Sequence, residues 1–181
     1  MKAIALILCF GAVLGLSPAL AQPQGFANGP VFEDFGPAAE VQTDEPLPAD
    51  SKFKIAFDVA KKAEPGTLNR SFESAARFIN MHAKAGVPVE NIRLAIVVHG
   101  GAAGDLLSQT AYAARNKGAN NGSAAAIAAL QEKGVIFHLC GQSAAAHKIR
   151  NTDLLPGVRM DLSAMTAHAR LQQQGYTLNP F

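Results

Sequence analysis

The clearest indication of the fold is the segment Gly134-Val135-Ile136-Phe137-His138-Leu139-Cys140-Gly141-Gln142-Ser143. Its apolar run is too short for a helix and is bounded by glycines, which predicts a strand buried on both faces, as in parallel sheets. Gly141 allows a tight turn, and residues 142–148 have good helix propensity, with Ser143 as the expected cap. A strand, a turn and the start of a helix therefore meet at Cys140.

Cys140 has two interpretations on this local pattern. The N-terminus of a helix offers unpaired N–H groups and a partial positive charge, which favour a thiolate, the form of cysteine that attacks other atoms. Free cysteine is also among the most buried residue types and can act as a small hydrophobic side chain. The local pattern leaves both a functional and a structural thiol open.

The segments on either side alternate between strand and helix patterns. Apart from the Cys140 strand, we predict strands at 52–59, 92–99, 158–162 and, at an edge, 176–178, and helices at 67–85, 106–115, 123–133 and 163–173. Such alternation is typical of βαβ crossovers. The predicted fold is an α/β three-layer sandwich, in which a parallel sheet of about five strands has helices on both faces.

Open parallel sheets bind ligands at the carboxyl ends of their strands. The predicted ends carry Asp58 with Lys61, His99 with the Gly100-Gly101 turn, Cys140 with Gly141, and Ser163. A cysteine and a histidine at neighbouring strand ends can act as a thiol and its base. We therefore take Cys140 and His99 as candidate catalytic residues.

The first 21 residues have the features of a secretory signal peptide. A basic start is followed by an apolar run at 3–16 and by Ser17-Pro18-Ala19-Leu20-Ala21, which ends in an A-x-A cleavage pattern. The apolar run is shorter than the roughly 20 residues that a membrane span needs. We expect cleavage after Ala21, a periplasmic or secreted protein, and no membrane insertion afterwards.

Cleavage would also remove Cys9, one of the two cysteines of the chain. Cys140 would then have no partner for an internal disulfide. Exported compartments are oxidising, so a free thiol that serves only for packing is a liability there. This favours a functional Cys140.

Residues 22–51 are rich in Pro, Gly, Ala and acidic side chains, with Phe26, Phe32 and Phe35 at irregular spacing. The composition predicts an extended N-terminal arm that is ordered only where these aromatic side chains find a surface. Residues 52–181 then form the α/β domain.

Several function classes lack support. A net charge of +2 over 181 residues gives no basic bias toward nucleic acid. The glycines at 100–104 lack the G-x-G-x-x-G spacing of dinucleotide sites, and Ser143 and Ser163 lack a G-x-S-x-G elbow, so we expect neither a nucleotide cofactor nor a serine hydrolase.

The histidines do not predict a metal site either. His82, His99, His138 and His147 have no recognised ligand spacing among themselves or with Cys140. We expect His138 to be structural, on the same strand face as Cys140, and His82 and His147 to lie at the surface.

An ordered set of short motifs resembles the DsrE/DsrF-like family in its exported branch, from about Phe53 to Tyr176. The motifs are Val97-Val98-His99-Gly100, Asn120-Asn121, Leu130-x-x-x-Gly134-Val135, Leu139-Cys140-Gly141-Gln142-Ser143, Leu154-Leu155-Pro156-Gly157-Val158, Leu162-Ser163-Ala164 and Leu171-Gln172-x-x-Gly175-Tyr176. The resemblance implies the same three-layer fold, homotrimers or hexamers, and sulfur oxidation or relay through a cysteine persulfide. It matches Cys140 and His99 to the family's Cys-Gly-Gln-Ser and His-Gly motifs.

One departure from the family pattern concerns the position of the reactive cysteine. The cytoplasmic sulfur carriers of the family hold that cysteine in an earlier loop, and here the earlier loop, residues 100–105, has none. Persulfide chemistry at Cys140 therefore does not follow from the resemblance alone.

Two functions remain as hypotheses. The first is a periplasmic carrier of sulfane sulfur, in which Cys140 takes sulfur from a donor protein or small sulfur compound and His99 is its base. The expected ligand-binding residues are Gly100, Gly101, Asn120, Gly141, Gln142 and Ser143. The second is a non-catalytic homo-oligomer that binds a small ligand or serves assembly, favoured by the small side chains of the alanine-rich helix.

Overall fold

The computed structural model describes residues 25–179. The signal peptide predicted at 1–21 lies outside these residues. The strands are β1 Phe26–Ala27, β2 Ala38–Ala39, β3 Phe53–Val59, β4 Ile92–Val98, β5 Ile136–Cys140, β6 Arg159–Asp161 and β7 Thr177–Asn179. The helices are α1 Arg70–Lys84, α2 Gln109–Arg115, α3 Ala124–Glu132, α4 Gly141–Ala146 and α5 Ala164–Gln173, with 3₁₀ turns at Val89–Asn91, Gly100–Leu106 and Asn151–Asp153.

Five of the strands form one parallel sheet in the order β6-β5-β4-β3-β7. The central strand β4 is buried at every position except Arg93, as expected for a strand covered on both faces. The register pairs Val98 of β4 with Leu139 of β5, so the next residues, His99 and Cys140, lie opposite each other at the carboxyl edge. The predicted α/β sandwich with a five-stranded parallel sheet is confirmed.

The two faces of the sheet differ in the size of the side chains they bury. The larger core joins the sheet to α1, α2, α3 and α4 through bulky side chains such as Phe72, Ile79, Leu130 and Phe137. The other face packs on α5 through Ala56, Ala95, Val97, Ala167 and Leu171. Small side chains on this face let α5 approach the strands closely.

The predicted helix at 106–115 is interrupted. A 3₁₀ turn over Gly100–Leu106 is followed by α2, whose N-cap is Ser108, so Asp105, the residue directly before the predicted helix, does not cap it. Asp105 is buried instead, and its carboxylate accepts hydrogen bonds from Ala63 N and Asn69 Nδ2. Its side chain thus joins this turn to the loop after β3.

Residues 25–39 of the N-terminal arm pack on α1, with β1 and β2 forming a short antiparallel pair. Buried Asn80 on α1 holds this segment. Its Oδ1 accepts from the amides of Val31 and Phe32, and its Nδ2 donates to the carbonyls of Phe32, Phe35 and Gly36. Of the three aromatic side chains, Phe32 is buried in the core and Phe35 packs against it half-buried, whereas Phe26 is exposed.

We expect Asn80→Ala to destabilise the protein by roughly 2–4 kcal/mol, because it leaves several buried backbone groups without partners. Chemical denaturation measures the loss, and hydrogen exchange should show that the amides of Val31 and Phe32 lose protection. Ser74→Ala on the same helix is the control, since that hydroxyl bonds only its own helix at Arg70. Unchanged protection of the two amides would contradict this account of the arm.

His82 is buried, so the expectation that it lies at the surface was wrong, whereas His147 is exposed as expected. The His82 ring stacks on Phe78 and meets Phe53 edge-on, and its Nδ1 bonds the Phe78 carbonyl at 2.7 Å. Burial lowers the pKa of His82, and the bond to Phe78 offsets this only in part. The N-terminal end of β3, which brings Phe53 onto α1, is what covers the ring.

This lowered pKa predicts a pH dependence of stability. The unfolded chain binds the proton more readily, so the stabilisation is present above the ordinary histidine pKa of 6.5 and is lost as the pH falls. We expect His82→Gln to lose less unfolding free energy than the wild type between neutral pH and about pH 5. His147→Gln is the control, and parallel losses in wild type and His82→Gln would refute the assignment.

A thiol site at the carboxyl edge of the sheet

A cavity of about 300 Å³ opens at the carboxyl edge of the sheet, on the face that α5 covers. Its walls come from the ends of β3, β4 and β5, from the start of α4 and from the first turns of α5. It is lined by Asp58, His99, Cys140, Gln142, Ser163, Ala164, Met165 and His168. The predicted pair Cys140 and His99 thus lies in one cavity.

Cys140 ends β5 and is at the same time the N-cap residue of α4. The helix therefore begins at Gly141, and the expectation that Ser143 caps it was wrong. Cys140 is 5% exposed, and its thiol is free. The residue is thus nearly enclosed, yet it lines the cavity.

Four hydrogen-bonding groups lower the pKa of the Cys140 thiol. They are the hydroxyl of Ser143 and the backbone N–H groups of Ser143, Ala164 and Gln142. Burial raises the pKa of the Cys140 thiol, but the hydrogen bonds together outweigh it and leave the pKa below its ordinary value. The site favours the thiolate.

These donors come from two helices that begin at the sulfur. Ala164 is the first residue of α5, and Gln142 and Ser143 lie in the first turn of α4. N–H groups in a first helical turn have no partner within the helix. The sulfur therefore receives donors that the helices do not use.

Gly141 makes this convergence possible. A Cβ at Gly141 would lie 2.6 Å from the carbonyl oxygen of Asp161 and 3.1 Å from that of Leu162. A side chain at this position would therefore push α4 away from the segment that leads into α5. The side-chain amide of Gln142 donates to the same Leu162 carbonyl and ties the two segments together.

The Ser143 hydroxyl is oriented by its second bond. Its oxygen accepts the N–H of Gly100 at 2.9 Å, which leaves its proton to be donated to Cys140. Gly100 thus acts on the sulfur through Ser143. Gly101 faces the Ala60 carbonyl and the side chain of Lys62, and it does not line the cavity.

On the other side of the cavity, one carboxylate binds two imidazoles. Nε2 of His99 lies 3.1 Å from Oδ2 of Asp58, and Nε2 of His168 lies 2.7 Å from Oδ1. Burial raises the pKa of Asp58, but the hydrogen bonds and charges of His99 and His168 outweigh it and leave this pKa below its ordinary value. Asp58 is thus held as the carboxylate.

His138 forms a separate pair outside the cavity. Its Nδ1 bonds Asp161, whose other carboxylate oxygen accepts from Arg170 at 3.2 Å. The pair links β5, β6 and α5. These contacts agree with the structural role that the sequence predicted for His138.

The structure does not bring Asn120 to this site. Asn120 is exposed, and its Oδ1 accepts from Gln109 Nε2 at 3.0 Å. Its neighbour Asn121 is the buried member of the pair and donates to the carbonyls of Asp105 and Leu107. The two asparagines therefore hold the turn before α3.

His168 is the site residue that the sequence analysis missed. It lies next to Ala167 and one turn before Leu171, the residues through which α5 packs on the sheet. A histidine on that apolar stripe was the signal available. The sequence placed Asp58 at a strand end but did not predict its hydrogen bonds to His99 and His168.

Neither a metal centre nor a membrane span is found in the described part of the chain. Within residues 25–179, no group of three or more His, Cys, Asp and Glu side chains is arranged to hold a metal ion. Among the helices of the same residues, none combines the length and apolarity that crossing a membrane requires.

A family model described as the DsrE/DsrF-like family matches residues 52–180. The chain belongs to this family. The match confirms the resemblance inferred from the motifs between Phe53 and Tyr176.

Comparison with solved structures agrees on the fold of this DsrE/DsrF-like chain. A protein of unknown function from Methanobacterium thermoautotrophicum superposes with a TM-score of 0.50 at 18% sequence identity, covering 72% of this chain and 100% of that one. At such identity the likeness shows the fold alone. No curated protein matches the chain.

We expect Ser143→Ala to raise the pKa of Cys140 and to slow its alkylation at neutral pH about tenfold, because one hydrogen bond to the thiolate is lost. The pH dependence of iodoacetamide modification, followed by intact mass, measures the effect. Gln142→Ala is the matched control, since it keeps its backbone N–H and loses only the side-chain bond to Leu162. Equal profiles for Ser143→Ala and the wild type would contradict the role of the hydroxyl.

Proposed function

We propose that the protein is a periplasmic carrier that accepts and passes on sulfane sulfur through the single thiolate of Cys140. Membership of the DsrE/DsrF-like family suggests a sulfur-relay-like role. The observation that supports it most directly is the set of hydrogen bonds at Cys140, with N–H donors from two helices and a pKa below its ordinary value. A thiolate is the nucleophile that sulfur transfer requires.

The transfer begins when the Cys140 thiolate attacks the outer sulfur of a donor R–S–SH. A bond forms between Sγ and that sulfur, and the donor S–S bond breaks with its electron pair on R–S⁻. Protonated His99 gives its proton to this leaving thiolate, so that R–SH departs. The new persulfide then returns its own proton to His99, which leaves Cys140–S–S⁻ and restores the starting state of the histidine.

The same donors that favour the thiolate suit the persulfide anion. Backbone N–H groups at the start of α4 and α5 would hold the negative charge near the mouth of β5. An acceptor thiolate attacks the outer sulfur, and the Sγ–S bond breaks with its electron pair on Cys140. The carrier is then ready for another cycle.

The small exposure of Cys140 bears on the size of the donor. Cys140 is 5% exposed and lines a cavity of about 300 Å³, so its thiol is accessible to a small molecule. The surface of a folded partner would not reach it without inserting a chain segment. We therefore favour a small persulfide or polysulfide as donor over a rigid protein surface.

Location and assembly belong to this proposal as well. The features of residues 1–21 support export to the periplasm or secretion. Leu162 and Met165 are 73% and 79% exposed beside the cavity, and such apolar side chains support self-association, as a homotrimer or hexamer.

The second candidate is a non-catalytic homo-oligomer of the same fold that binds a small ligand. The enclosure of the thiol favours it, since a buried cysteine can serve packing alone. Native mass spectrometry after ligand exposure separates the two functions. A ligand lost on denaturation supports the second, and a covalent sulfur adduct supports the first.

We expect the purified protein, incubated with inorganic polysulfide or a small organic persulfide, to gain the mass of one sulfur atom in the intact-mass spectrum. Cys140→Ser should gain none, and a reductant should remove the added sulfur from the wild type. The proposal fails if the wild type gains no mass, or if Cys140→Ser gains as much.

A further inference from the structure

The two histidines on Asp58 differ in their surroundings. The side chain of His99 is 31% exposed, and that of His168 is 14% exposed. Nδ1 of His168 is buried and has no hydrogen-bond partner within residues 25–179. A proton placed on that atom would therefore be enclosed without an acceptor.

The carboxylate determines which nitrogen of each ring carries a proton. An ionised carboxylate only accepts hydrogen bonds, so both Nε2 atoms must donate to Asp58. In a neutral His99, Nδ1 is then the bare nitrogen that can take up a proton. His99 belongs to the end of β4 and His168 to α5, so Asp58 connects a strand end to the helix whose first residue donates to Cys140.

We propose that Asp58 and His168 are positioning residues of the site, which hold His99 in the Nε2–H tautomer with Nδ1 free to exchange protons. His168 acts by anchoring Asp58 through its second oxygen, and its own proton does not move. This division of roles rests on the proposed function for its chemistry, whereas the tautomer is a property of the resting protein.

The other charged groups on this face do not compete for Asp58. His138, Asp161 and Arg170 bind one another between β5, β6 and α5. Lys61 and Lys62 follow β3 and do not line the cavity. Cys140 remains as the titratable group that shares the cavity with Asp58, His99 and His168.

The test compares His168→Gln, whose side-chain amide can still donate to Asp58, with His168→Met, which has no donor. We expect His168→Gln to load sulfur on Cys140 within about twofold of the wild-type rate, and His168→Met to load it roughly ten- to hundredfold more slowly. Equal losses in both variants would mean that His168 itself transfers protons and would overturn the proposal. Wild-type rates in His168→Met would also overturn it.

A second readout does not depend on sulfur chemistry. Nitrogen-15 NMR of the histidine rings at alkaline pH should show His99 and His168 as Nε2–H tautomers in the wild type. Asp58→Asn offers one acceptor oxygen and one N–H donor, so one of the two rings should change to the Nδ1–H tautomer. Wild-type His99 with its proton on Nδ1, or unchanged rings in Asp58→Asn, would overturn the inference.

The two readouts distinguish a failure of the proposed function from a failure of the positioning role. If neither the wild type nor any variant takes up sulfur, the proposed function fails, and the ring spectra still decide the tautomer. If sulfur is loaded but the ring spectra contradict the tautomer, the positioning role fails alone. A His168→Met variant that does not fold leaves the decision to His168→Gln and Asp58→Asn.

Discussion

The site depends on one close backbone contact, between Gly141 and the carbonyl oxygens of Asp161 and Leu162. Because Gly141 has no Cβ, the start of α4 can lie against the segment that leads from β6 into α5. Two helices then begin at one sulfur, and the N–H groups that neither helix uses point to Cys140. The Ser143 hydroxyl contributes most to lowering the pKa of the thiol, and the backbone N–H groups of Ser143, Ala164 and Gln142 add to it.

The unequal faces of the sheet explain why the cavity lies where it does. Bulky side chains fill the face toward α1 and α3, whereas alanines let α5 lie close to the strands on the other face. At the carboxyl edge this apolar packing ends, and Asp58, His99 and His168 take its place. The Asp58 carboxylate accepts from both Nε2 atoms, which offsets part of the cost of burial, whereas Nδ1 of His168 has no partner among residues 25–179. A pocket with a thiol on one side and a bridged pair of imidazoles on the other results.

The fold and half of the site could be predicted from the sequence. Apolar runs bounded by glycines gave the strands, and the rule for carboxyl ends of parallel strands placed Cys140 beside His99. His168 was missed because it lies on a helix far along the chain from Asp58. Only the packing of α5 on the sheet shows that the two side chains meet. The same reason applies to His82, which Phe53 covers. Asn120 was misplaced because the hydrogen bonds of a turn cannot be read from its sequence: Asn120 bonds Gln109, Asn121 bonds the Asp105 and Leu107 carbonyls, and neither lines the cavity.

The carrier proposal requires that the Cys140 thiol have a pKa below the ordinary cysteine value, held there by hydrogen-bond donors from two helices. Thiolate absorbance in the ultraviolet, measured as a function of pH for the wild type and corrected with Cys140→Ser, tests it most directly. We expect a single transition whose midpoint lies below the ordinary cysteine value. A midpoint at or above that value would mean that burial outweighs the hydrogen bonds, and the carrier proposal would lose its chemical basis.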